Sequence, residues 1–262
     1  MQSRSGPANF YEQSFVEQKA WHSSLIIDHC DFPDDLLYDY DGNTWIKIDP
    51  DGSNATVGLT SLMMGIAGKL SSVRTKPLGT IVSRGRSLGT IESHRMVGPI
   101  PSPLSGTIVE INERIAAVPR ILNNSAYDEG WIVRLKLSSM QSEKKELSSV
   151  EKIVPLLRER IAEFHVRCFK LFPDHEMYEI GSECTAVLAR LNELIDKVAV
   201  GDAIHIVSDE PTAYVEMVAW SDRTGHELVE WRREGNLFHF VVRKTGREGD
   251  RMGGIDASRS LS

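Results

Sequence analysis

The chain has 262 residues, a formal net charge of −7, 41% hydrophobic residues and 26% charged residues, a balance that suits one large globular domain or two ordinary ones. A wrapped nucleic-acid binder needs excess Lys and Arg to neutralise phosphates, so the acidic balance argues against nucleic acid as a partner. No run approaches the ~20 apolar residues that cross a bilayer, and the opening MQSRSGPANFYEQSF has no apolar signal core, so the expectation is a cytoplasmic protein without a membrane partner.

Residues 1–31 are polar and aromatic without clear period and read as an N-terminal extension, partly helical around Phe10–Trp21. The chain has three cysteines, Cys30, Cys168 and Cys184. A small, odd count makes no disulfide framework, so free thiols in a reducing compartment are expected. Cys30 follows Asp28 and His29, but no second CxxC or HxxxH supplies the three or four ligands of a metal site, so none is expected.

Residues 32–137 change character. Trp45–Ile48, Ala55–Val57, Thr80–Val82, Gly89–Ile91 and Thr107–Ile111 are β-rich runs cut by glycines, the pattern of a small sandwich or flattened barrel. Pro99-Ile100-Pro101-Ser102-Pro103 must be an edge or a crossing segment, because proline donates no ladder hydrogen bond. Residues 138–149 form a polar break, read as a linker. Val150, Ile153, Leu157, Ile161, Phe164 and Cys168 then recur at helical spacing. Pro155 must lie in the first turn of that helix or kink it, and Cys168 reads as a core residue on its apolar stripe.

From residue 177 the grammar is β-α-β-α-β-β through residue 245. A strand Met177–Ile180 precedes Cys184, and a helix Thr185–Val198 follows with Val187, Leu188, Leu191, Leu194 and Ile195 on one face. Ala203–Val207 alternates like a strand. Pro211–Arg223 reads as a helix with proline at its first position, and His226–Trp231 with Leu237–Val242 as a hairpin around Glu234-Gly235-Asn236. This order implies a two-layer α/β sandwich. The Gly-, Arg- and Ser-rich stretch 246–262 reads as a disordered tail.

The run FPDDLLYDYDGNTWIKIDPDGSNATVGLTSLMMGIAGKL, followed by ESHRMVGPIPSPLSGTIVEINE and YDEGWIVRLK, resembles glycine cleavage system H proteins. The VGPIPSPLSG wording resembles the H-like lipoate-binding proteins of sulfur-oxidation systems. The resemblance implies an α+β chain whose residues 32–137 form a lipoyl-type β-sandwich, the barrel-sandwich hybrid of biotinyl/lipoyl attachment domains. That family places its lipoyl lysine in a hairpin pattern Glu-Ser-x-Lys. Here the pattern reads Glu92-Ser93-His94-Arg95. Arg95 takes the lysine position, and a guanidinium that stays protonated is a very poor nucleophile, so covalent lipoate is expected to be absent. Arg95 reads either as an anion clamp or as an exposed arginine on a module without its prosthetic group.

The stretch from Tyr178 to Lys244 resembles TusA-type sulfur carriers, through Gly181-x-x-Cys184, GDAIHIVSDEP and AWSDRTGHELVEWRREGNLFHFVVRK. The resemblance makes Cys184 the sulfur-carrying residue, holding a transient persulfide. A thiol at a helix N-terminus faces unpaired N–H groups, which favour thiolate; Glu183 beside it opposes this. Cys184-Thr185-Ala186-Val187 lacks both prolines of the family's Cys-Pro-x-Pro pattern. The joint expectation is a sulfur-relay carrier rather than a turnover enzyme, its partners sulfur-transfer or lipoate-related enzymes. The alternative is a non-catalytic adaptor for those enzymes.

Overall fold

The computed structural model describes residues 23–246. The expected helical stretch at Phe10–Trp21 and the expected tail beyond Gly246 lie outside the described residues. Strands β1 (Ser24–Ile27) and β2 (Cys30–Pro33) pair in antiparallel fashion. They are joined by Asp28 and His29 at φ 46° and 70°, the two left-handed residues of a tight hairpin turn. The last part of the expected extension is therefore a hairpin. Then follow β3 (Leu37–Asp39), β4 (Thr44–Ile48), β5 (Asn54–Leu59), α1 (Ser61–Ala67), β6 (Leu70–Thr75), β7 (Ile81–Val82), β8 (Ser87–Ser93), β9 (Val97–Pro101), β10 (Gly106–Ile111), α2 (Glu113–Ala117), α3 (Arg120–Asn124) and β11 (Trp131–Leu137).

These strands make two sheets, in the orders β3-β4-β5-β11-β10-β7 and β6-β8-β9. All five β-rich runs of the sequence are strands, and the proline-rich segment is the edge strand β9, as the missing ladder donors require. Ile46, Val57, Leu88, Ile91, Ile100, Ile108, Val133 and Leu135 are buried in the core these sheets share. The result is a β-rich sandwich; the sheets do not close into a barrel.

The expected linker is ordered and attached. It folds as α4 (Met140–Glu143) and a 3-10 turn, Lys144–Glu146. The Glu143 carboxylate accepts hydrogen bonds from Ser105 N at 2.7 Å and Ser105 Oγ at 2.6 Å. Ser148 and Tyr38 exchange backbone hydrogen bonds. Helix α5 (Val150–Glu163) carries Pro155 inside it, not in its first turn. It buries Val150, Ile153, Leu157 and Ile161 against Ile27, Phe32, Leu36, Tyr38 and Trp45, so it belongs to the first module. Phe164 lies at the C-cap and is exposed.

Cys168 lies beyond that helix, and it is not a free core thiol. It is disulfide-bonded to Cys30, 138 residues away in sequence. The expectation of three free thiols is corrected: spacing along one chain cannot show that a hairpin near one end and a connector far downstream meet in space. Cys184 alone is free.

The second module comprises β12 (His175–Glu179), α6 (Cys184–Lys197), β13 (Ala203–Ser208), α7 (Ala213–Thr224), β14 (Glu227–Glu234) and β15 (Leu237–Arg243). Its sheet order is β12-β13-β15-β14, with β12 parallel to β13 and the other neighbours antiparallel. Helix α7 begins two residues after Pro211, with Thr212 at its N-cap; the proline lies in the turn before it. Val187, Leu191, Ile195, Met217 and Trp220 from the helices pack on Ile204, Ile206, Phe240 and Val242. The described residues are thus α+β, a β-sandwich followed by a two-layer α/β sandwich.

A disulfide that closes so long a loop stabilises by about 2–4 kcal/mol. Replacing both residues (C30A with C168A) is expected to lower the unfolding free energy by about that amount in denaturant titration. In the unreduced folded protein, iodoacetamide should label Cys184 and neither of the other cysteines.

Candidate functional site

The candidate residues fall at two separate places. The first is the turn between β8 and β9. Ser93 Oγ donates to the Ala67 carbonyl at 2.6 Å and accepts from the backbone N–H groups of Arg95 and Met96 at 3.0 and 3.1 Å. The turn is thereby fastened to the C-terminal end of α1. Gly68 ends that helix at φ 78°, and a Cβ there would meet Arg95 Cδ at 3.0 Å. Arg95 lies over this glycine and donates to Gly65 O at 3.3 Å, a cation on the carbonyl end of a helix, where it is favoured. Its other terminal nitrogen reaches Glu176 Oε1 of β12 at 3.4 Å. Glu92 and His94 are exposed. Arg84 pairs instead with Asp39, so it shares no partner with Arg95.

Arg95 and His94 border a cavity of about 440 Å³ between the modules, together with Lys69, Arg167, Phe169, Asp174, Glu176, Tyr178 and His205. Strand alternation explains the second module's share. With Ile204, Ile206 and Phe240 turned to the helices, His205, His239 and Arg232 face the other way. That second face is covered by the segment after α5. Phe169 packs on the His205 ring at 4.6 Å, and Arg232 lies over Phe169 at 4.4 Å and donates to Cys168 O at 2.8 Å. Arg167 Nε donates to Glu234 at 2.9 Å, and Lys170 N donates to Glu230 at 2.8 Å. Nearby, Asp174 is buried and pairs with Lys69 at 3.0 Å and Arg120 at 2.5 Å, while accepting from Ala203 N at 3.0 Å.

His205 and His239 stack with 2.9 Å between His205 Nε2 and His239 Nδ1. Burial, and then the neighbouring His239 and arginines, push the His205 pKa down to about 3. Burial likewise lowers that of His239. Both rings are therefore neutral near pH 7. None of His205, His239, Arg167 or Glu176 was singled out from the sequence. The signal available was β13, AIHIVS, a strand that is buried at every position and therefore covered on both faces.

The second place is Cys184, the first residue of α6 and half-buried. Gly181, at φ 71°, starts the turn before it, and its N–H donates to Asp209 at 2.8 Å. Ser182 Oγ donates to Glu179 at 2.9 Å, and Arg190 pairs with the same carboxylate. Cys184 is not among the residues that border the inter-module cavity. Its thiol pKa is raised, not lowered: burial raises it most, then Glu216 and Glu210, against a hydrogen bond with Thr212. The helix N-terminus alone argues for a depressed pKa, but burial and, after it, the carboxylates of Glu216 and Glu210 outweigh it. Among the described residues no group of three or more His, Cys, Asp or Glu side chains is placed to hold a metal ion.

A negative charge beside a thiol disfavours thiolate, so removing it must lower the pKa. In an E210Q/E216Q double variant the pH profile of Cys184 alkylation is expected to move to lower pH, with faster labelling at pH 7. An unmoved profile would contradict the charge assignment.

The glycine cleavage H-protein family model matches residues 36–160, ending inside α5, and the sulfurtransferase TusA family model matches residues 180–244. Glycine cleavage system H protein 2 of Aquifex aeolicus is 36% identical over 139 residues, which is 53% of this chain and 86% of that protein. A probable glycine cleavage system H protein 2 of Sulfolobus acidocaldarius is 40% identical over 146 residues, 55% of this chain and 96% of that protein. A solved H protein from Mycobacterium marinum aligns at 26% identity over 52% of this chain and all of its own, with a TM-score of 0.41. Among the described residues no helix is long and apolar enough to cross a membrane. The chain belongs to the glycine cleavage H-protein family through its first module and carries a TusA sulfurtransferase domain as its second.

Proposed function

We propose that this carrier-type protein relays sulfane sulfur, with Cys184 as the accepting residue and the H-like module as a docking domain for lipoate-related or sulfur-transfer enzymes. The observation that carries the reading is the state of the cysteines. Cys30 and Cys168 are tied to each other, which leaves Cys184 as the one free thiol, half-buried at the start of a 14-residue helix.

The transfer is a displacement. The Cys184 thiolate attacks the sulfane sulfur of thiosulfate. A bond forms from Cys184 Sγ to that sulfur, the S–S bond of thiosulfate breaks, and sulfite leaves with the electron pair, giving Cys184–S–S⁻. Exchange with an acceptor thiol reverses the logic. Because burial, then Glu216 and Glu210, hold the thiol pKa up, the free protein is a slow acceptor near pH 7. A partner that presents Lys or Arg to those two carboxylates raises the thiolate fraction at docking.

Arg95 occupies the position of the lipoyl lysine. Its guanidinium does not fit amide formation, so no step runs through lipoate. The competing reading is an adaptor that binds the same partners without chemistry. The raised thiol pKa and the missing prolines after Cys184 favour that reading.

Intact mass after incubation with thiosulfate separates the two. The relay requires a gain of one sulfur atom that is reversed by a reducing thiol and is absent from C184S; an inert Cys184 with retained partner binding leaves the adaptor. Lipoate ligase should leave the chain unmodified and act on R95K. A ligated product on the unaltered chain would overturn the assignment of Arg95.

A further inference from the structure

The inter-module cavity lies away from Cys184. His205 is 3% exposed and borders the cavity between Phe169 and Tyr178, with ring centroids 4.6 and 6.2 Å away. Its hydrogen bonding can be assigned from its neighbours. His239 Nε2 is buried without a hydrogen-bond partner and lies 3.5 Å from Glu234 Oε2. Burial acts to raise the Glu234 pKa, but the hydrogen bond from Arg167 and nearby positive charge leave it below the usual carboxylate range. Glu234 is therefore a carboxylate.

A carboxylate disfavours a bare lone pair opposite it, so His239 Nε2 carries the proton. Neutral His239 then has an accepting Nδ1. That nitrogen receives the N–H of His205 Nε2 at 2.9 Å. Neutral His205 is left with Nδ1 as an acceptor, and Nδ1 makes no hydrogen bond among the described residues. Among the residues that border the cavity, His205 thus carries one fixed acceptor in aromatic surroundings.

The walls present the opposite character. Arg95 spends two single, long hydrogen bonds of 3.3 and 3.4 Å on Gly65 O and Glu176. Arg167 uses only Nε, on Glu234, leaving both terminal nitrogens without a hydrogen bond among the described residues. Lys69 stands opposite, on Asp174. Donors for an anion, a single acceptor and aromatic rings around one cavity describe an anionic ligand with a soft proton-donating end.

We propose that this cavity binds a small carboxylate-bearing thiol. The carboxylate takes the forks of Arg95 and Arg167, and the S–H donates to His205 Nδ1 between Phe169 and Tyr178. The choice of sulfur, rather than another weak acid, rests on the relay reading above. The site itself does not use Cys184.

The test is calorimetric titration of C184S with mercaptoacetate at pH 6.5, well below the thiol's own pKa, where exchange with Cys30–Cys168 is slow. C184S removes the reactive thiol, so this result is independent of the persulfide measurement. Saturable one-site binding is expected, weakened about fivefold or more for methylthioacetate, which has no S–H. R95M, at a half-exposed position that does not endanger folding, should weaken mercaptoacetate about tenfold or more. H205F should abolish the preference for mercaptoacetate over methylthioacetate. Absence of saturable binding, equal affinity for the two ligands on C184S, or full affinity in R95M overturns the proposal.

Discussion

A sheet with helices on one side only must satisfy its other face, and that requirement governs how this chain is assembled. The free face of the second module carries His205, His239, Arg232 and Glu234. Buried polar groups cost free energy unless they are partnered. Here the partners come from the segment that leaves the first module: Arg167 for Glu234, Lys170 N for Glu230, Cys168 O for Arg232 and the Phe169 ring for His205. The same segment is bound to Cys30 through Cys168, so one short connector links the N-terminal hairpin, the H-like sandwich and the sulfurtransferase sheet.

Magnitudes show which contacts hold the two modules together. The Arg95–Glu176 pair joins side chains that are 43% and 42% exposed, and such pairs are worth about 0–1 kcal/mol. The Asp174 side chain is 1% exposed, with Lys69, Arg120 and Ala203 N around it. The Asp174 carboxylate keeps one cation when the other is removed, and the disulfide contributes about 2–4 kcal/mol. The hairpin tip at Arg95 therefore rests on an interface made by other residues and can exchange its long hydrogen bonds for those of a ligand at little cost. Position matters more than strength there: a turn fastened by Ser93 holds a permanent cation at the edge of a cavity.

Cys184 illustrates a similar competition of terms. The start of a helix favours thiolate by a fraction of a kcal/mol at an exposed site and more when partly buried. Partial burial and the carboxylates of Glu216 and Glu210 oppose it and prevail. The result is a half-buried thiol that burial and two carboxylates hold in its protonated form.

Much of this was legible in the residues themselves. Alternation and helical spacing depend on neighbours along the chain, so β4, β5, β8, β10, α5, α6, β13 and the β14–β15 hairpin could be read directly, as could the edge position of the proline-rich strand. Glu92-Ser93-His94-Arg95 and Cys184 stood out through a resemblance to two family patterns, and their assignment belongs to the proposal. The Cys30–Cys168 bond, the sign of the Cys184 pKa shift, the attachment of the supposed linker at Ser105 and Tyr38, and the pairing of His205 with His239 could not be read that way. Each joins residues far apart in sequence, and pair interactions act through space, where distance along the chain carries no information. The sequence by itself determined which segments fold and which side chains are chemically able. Tertiary packing decided which of them meet, and the uncovered face of one sheet is the physical reason it decided as it did.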